Sequence, residues 1–201
     1  MQERLAKAVS YIFHPLLMPT FGFLLLMNTG FYFALISFEA KQFILLTVFA
    51  FTFVLPLISI GLMVINSRLK LDLNKSSDRI LPMLTTTIFY CIAYYYLGRM
   101  PIYPIYRVVL ISSALTIAIL LLVSFKWKIS AHLAGIGGLV GAFMALSFRL
   151  NFNGSTLLVA LILVAGLIGS SRLILEKHTP MQIYAGFFTG FAVNYLFINF
   201  I

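Results

Sequence analysis

The chain has 201 residues, of which 62% are hydrophobic and 9% charged, with a formal net charge of +9 at pH 7 and a mean hydropathy of +1.05. Soluble domains hold about 45–50% apolar residues, so this composition excludes a water-soluble globule and implies a membrane protein. The cations are spread over short polar stretches, which argues against a nucleic-acid partner and for topology signals and lipid-headgroup contacts.

Backbone groups in lipid must be paired internally, and the apolar runs are longer than barrel strands. The expected fold class is therefore all-α: a polytopic integral membrane helical bundle of six or seven transmembrane helices, forming a single membrane domain, 1–201. Seven spans are expected, at 9–37, 43–66, 82–98, 105–125, 132–148, 155–170 and 180–200. The opening stretch has a basic start and no small-x-small cleavage site, so it reads as a retained span and not a signal peptide. Pro15 and Pro19 are placed to break it into a re-entrant or interfacial piece. Cys91 is the one cysteine, which leaves no intrachain disulfide and no cysteine metal cluster. The run "YYYLGRMPIYPIY", Tyr94 to Tyr106, is expected to be an aromatic belt at headgroup depth, with no chemistry of its own.

Alternating crossings put residues 1–8, 67–81, 126–131 and 171–179 on one face. That face carries ten cations: Arg4, Lys7, Arg68, Lys70, Lys75, Arg79, Lys126, Lys128, Arg172 and Lys177. The other carries four: Lys41, Arg99, Arg107 and Arg149. The positive-inside rule assigns the richer face to the cytoplasm, and the bias remains seven to four without Lys75, Arg79 and Arg172. The expected location is a cell membrane, the bacterial inner membrane. All three histidines (His14, His132 and His178) lie toward the cation-rich face, with Glu3, Asp72, Asp78 and Glu176. Polar groups at membrane depth are costly, so one-sided clustering favours a site there.

Three segments carry the polar groups: "LDLNKSSDRILP" (71–82), "KWKISAHLAGIGG" (126–138) and "SRLILEKHTPMQIYAG" (171–186). Two spans separate each from the next, so all three can meet. The last resembles the third signature of the type 2 phosphatidic acid phosphatase/haloperoxidase superfamily: Ser-Arg, five residues, His, three residues, Asp. Ser171, Arg172 and His178 match in type and spacing, and Gln182 stands at the Asp position. "SAH" at Ser130–His132 resembles the second signature, Pro-Ser-Gly-His. Arg79, with Lys75 and Lys70 upstream and Pro82 three positions on, resembles the first more loosely. The resemblance covers 68–200, a lipid-phosphatase-like core with 1–66 as additional N-terminal spans.

The resemblance implies a metal-independent phosphatase, without cofactor, acting on a membrane lipid phosphate or diphosphate. His178 would attack phosphorus to form a phosphohistidine, His132 would protonate the leaving alcohol, and Gln182 would take the orienting role. Arg172, Arg79, Lys75, Ser130 and Ser171 would bind the phosphate. The residue types suit this chemistry: arginine's planar fork fits phosphate, a helix start offers amides, and paired histidines serve as nucleophile and acid at neutral pH. Gln182 can accept a hydrogen bond but supplies no charge. A second reading keeps the arginine cradle without turnover, as a lipid-phosphate binding or transport protein. A third is a scaffold. The bland account of 171–182 is a capping box, "TPMQ", beside ordinary cationic anchors. His14 reads as a packed histidine with a backbone partner. The glycine-rich stretches 134–142 and 186–190 read as close helix packing, which would draw His132 and His178 together. Oligomeric state is left open.

Overall fold

The structure is a computed structural model that describes residues 1–29, 35–66, 75, 77–151 and 153–200. Arg68, Lys70, Asp72 and Ser76 lie outside the described residues, as does most of the loop that contains them. The described residues form helices throughout: α1 Gln2–Ile12, a 3-10 turn Pro15–Leu17, α2 Met18–Asn28, α3 Phe38–Phe49, a π-helical stretch Ala50–Val54 and α4 Leu55–Ile65. A 3-10 turn Ser77–Arg79 then leads into α5 Ile80–Gly98, α6 Pro104–Ser124, α7 Ala131–Arg149, α8 Ser155–Ile174 and α9 Pro180–Phe200. Among the described residues, seven helical segments are long and apolar enough to cross a membrane. The chain is an all-α polytopic membrane bundle.

The first segment runs from Gln2 to Asn28, earlier than the expected 9–37, and it is broken. Pro15 forces His14 into extended backbone (ψ 136°) and ends α1. The chain restarts through the 3-10 turn, capped by His14 Nδ1, which accepts from the Leu16 N–H at 3.4 Å. In α1, Glu3, Arg4 and Lys7 are exposed while Ala6 and Ser10 are buried. Its main packing partner is α8. The second segment continues from α3 into α4 through the π-helical stretch, which precedes Pro56. A proline cannot donate its ladder bond, and a π-bulge is one way to absorb that loss.

Helix α7 lies at the centre, packed most extensively on α9. Glycines make this approach. A Cβ on Gly186 would collide with the Ser130 carbonyl, on Gly190 with that of Ala134, and on Gly137 with that of Phe187. Backbones can meet this closely only where side chains are absent. Lower in the bundle, the buried Asn194 ties α9 to α6. Ser112 Oγ donates to Asn194 Oδ1 at 2.7 Å, and Asn194 Nδ2 donates to Thr116 Oγ1 at 3.1 Å. In a membrane such bonds join helices where the hydrophobic effect does not. At the opposite end of the bundle, Tyr94, Tyr95, Tyr96 and Tyr103 are exposed as a belt requires, but Tyr106 is fully buried. It packs against Phe23 and belongs to the core.

Candidate functional site

Helix α8 continues past the expected end at 170, so Arg172 lies in its last turn. It stops in a Schellman turn. The Lys177 N–H donates to the Arg172 carbonyl (3.1 Å) and the Glu176 N–H to that of Leu173 (2.9 Å), with Glu176 in the left-handed region at φ 50°. This turn brings His178 back toward Arg172. Pro180 then opens α9, and the Thr179 N–H donates to Gln182 Oε1 at 3.1 Å. That is the returning half of a capping box, so the bland account of 179–182 holds.

It also organises His178. Gln182 Oε1 lies 3.2 Å from His178 Nδ1. The Thr179 amide can only donate, so the Gln182 atom facing it is the oxygen, and the same oxygen accepts from His178 Nδ1–H. The ring is therefore the Nδ1–H tautomer, and Nε2 keeps its lone pair. His178 is buried. Burial, then the charges of Arg79, Arg172 and Lys128, hold its pKa down at about 4 against a partial opposing pull from Gln182. It is neutral at pH 7.

His178, His132, His14, Arg79 and Arg172 line one cavity of about 280 Å³. Below this polar mouth the walls include Leu16, Met18, Ile117, Leu120 and Leu139, and the floor reaches Asn194. From Pro180 to Asn194 is fourteen residues along α9, or about 21 Å at 1.5 Å per residue. Arg79 is drawn below the usual arginine pKa by burial and stays charged. Arg172 Nη1–H donates to Ser10 Oγ at 3.3 Å, while its Nε is buried with no hydrogen-bond partner among the described residues.

The expected phosphate ligands divide. Arg79 and Arg172 meet at the cavity. Ser130 does not line it: this serine is fully buried as the N-cap of α7, its Oγ accepting from the Leu133 N–H at 3.5 Å. What α7 offers instead is its first turn at Ala131 and His132, which do line the cavity and where amides lack intrahelical partners. Ser171 Oγ donates to the Leu167 carbonyl at 2.8 Å and is also off the cavity wall. Lys75 is exposed and outside the lining.

His132 Nε2 lies 3.3 Å from the Ser10 carbonyl. A carbonyl only accepts, so Nε2 carries hydrogen. The His14 ring stands edge-on to that of His132, with centroids 5.8 Å apart. Ser10, His14 and Lys128 were not among the sequence-derived site residues. A boundary at residue 68 excludes the first two, although both touch the site. Among the described residues no group of three or more His, Cys, Asp or Glu side chains could hold a metal ion. Compared with known proteins, the chain matches no family model, no curated protein sequence and no solved structure.

Proposed function

We propose that this protein is a metal-independent phosphatase of a membrane lipid phosphate or diphosphate, working through a phosphohistidine on His178. The observation that carries the reading is the state of His178. Its Nδ1–H is held by Gln182 Oε1 at 3.2 Å, which leaves Nε2 unprotonated at a cavity shared with Arg79 and Arg172. A neutral imidazole that shares its cavity with two guanidinium groups suits attack on a phosphoryl group, because the cations neutralise the equatorial oxygens. The buried Arg172 Nε supports an anionic ligand, since an unmet buried donor costs about 1–3 kcal/mol and a phosphate oxygen would meet it. The apolar walls below the mouth support a substrate with a hydrocarbon chain, for example phosphatidic acid, phosphatidylglycerol phosphate, an isoprenyl diphosphate or a lipid A phosphate.

In the reaction, Nε2 of His178 bonds to phosphorus as the P–O bond to the lipid breaks. His132, as the imidazolium, gives its Nδ1 proton to the leaving oxygen while its Nε2–H stays on the Ser10 carbonyl. Water then attacks the phosphohistidine, returning a proton to His132 and releasing phosphate. The cation bias supports a cytoplasmic site in a cell membrane.

The test is phosphate release by detergent-purified protein from those four lipids, beside His178→Ala. Release by wild type that the substitution abolishes is the expected result. A specific observation keeps one alternative in view: Gln182 orients His178 without adding negative charge. Saturable lipid-phosphate binding with no release would replace the phosphatase with a binding or transport protein, and neither binding nor release would overturn both.

A further inference from the structure

From the same geometry we infer that Ser10 is a positioning residue that ties the anion clamp to the acid. This rests on the proposed reading of the site. Ser10 lies on α1, in the N-terminal segment that the motif spacing leaves outside the core. It is buried and makes two bonds to the site. Its Oγ accepts from Arg172 Nη1–H (3.3 Å), and its carbonyl accepts from His132 Nε2–H (3.3 Å). Arg172 stands on α8 and His132 on α7, so no bond within either helix fixes their separation. Ser10 joins both through one residue.

The two bonds act differently. The carbonyl bond fixes the His132 tautomer and aims the ring, as outer partners do for functional histidines. The hydroxyl bond holds the guanidinium edge. Arg172 has five N–H donors, and orienting one edge against Ser10 predisposes the rest toward a ligand. The charged and titratable side chains bearing on His132 are Arg172, His14 and His178; among the described residues no carboxylate lines the cavity. Neutral partners, Ser10 for the clamp and acid and Gln182 for the nucleophile, therefore do the orienting that a carboxylate would otherwise do.

The hydroxyl can be removed without the carbonyl. Ser10→Ala in the full-length protein deletes the Arg172 bond alone, and Ser10→Thr keeps a hydroxyl. Two readouts are taken on each: steady-state phosphate release from phosphatidic acid, and orthovanadate binding by calorimetry, which needs no turnover. Loss of one hydrogen bond to a charged group is expected to weaken vanadate binding and raise KM about tenfold, with kcat within about twofold. Ser10→Thr is expected to lie within about twofold of wild type. Unchanged KM and vanadate affinity in Ser10→Ala would overturn the inference. So would equal loss in Ser10→Ala and Ser10→Thr with a lowered melting temperature, which marks a packing role. Wild type that binds vanadate but releases no phosphate removes the phosphatase reading, and the vanadate comparison then decides Ser10 alone. Wild type that neither binds vanadate nor releases phosphate removes both.

Discussion

Gln182 performs two tasks through one oxygen, capping α9 at Thr179 and holding His178 Nδ1–H. Gln182→Asp separates orientation from charge. A carboxylate beside the imidazole favours its cation, so the pKa of His178 should rise from about 4 and phosphate release should increase about tenfold or more. An unchanged rate would mean that orientation alone is limiting. The unmodified protein carries a pH signature of its own. Because His178 is lowered from the ordinary 6.5 to about 4, folding favours its neutral form. That contribution to stability is complete above pH 6.5 and is lost as pH falls toward 4. Attack also needs the neutral form, so the acidic limb of kcat/KM should follow a group near 4, once the substrate's own ionisation near about 6 is allowed for. A limb at 6.5 would contradict this environment. Arg172, His178 and Gln182 were legible because their spacing is local. Ser10 and His14 were not, because only tertiary packing of α1 on α8 brings them to the site. Ser130 and Ser171 lie off the cavity lining for a related reason: serines at helix ends and interiors satisfy nearby backbone groups first.

Among the elements, the α8–α9 connection and the α7–α9 seam decide whether the site forms. Glu176 occupies a left-handed position (φ 50°) that glycine adopts without steric cost. Glu176→Gly should therefore stabilise the protein by about 0.5–1 kcal/mol, read as a higher melting temperature in detergent. At the seam the sign reverses. Gly190→Ala drives a methyl into the Ala134 carbonyl and should cost about 2–3 kcal/mol, with loss of activity as α7 and α9 part. Gly166→Ala is the control, since a Cβ there meets nothing within 4 Å and alanine is the better helix former. The glycine seam was legible from small-residue spacing. The end of α8 was not, since a hydropathy reading stops at Ser170 whereas the helix runs on to Ile174.

For the whole molecule, composition alone gave the membrane class, because burying 62% apolar residues in a water-soluble fold of this size would strain any surface. The number of crossings followed from the lengths of the apolar runs. The cavity did not, because its walls come from many helices and no periodicity encodes them. Sidedness is tested at Lys126, an exposed residue between α6 and α7, on the face that includes His178. With Cys91→Ser as background, Lys126→Cys should react with a membrane-impermeant thiol reagent only after cells are permeabilised. Labelling of intact cells would put the site outside.

The glycine seam has a mechanical consequence. Where carbonyls lie directly against glycine Cα atoms there are no side chains to slide or re-rotamer, and weak Cα–H···O contacts add to the closeness. Helices α7 and α9 then behave as one stiff jaw, with His132 and the His178 turn at its tip. Compliance must come from the opposing jaw, at the α1–α2 break at His14 and the turn Ser77–Arg79 before α5. Amide exchange should accordingly be slowest along α7 and α9 and fastest in α1. A ligand that tightened this site would draw the soft jaw onto the rigid one.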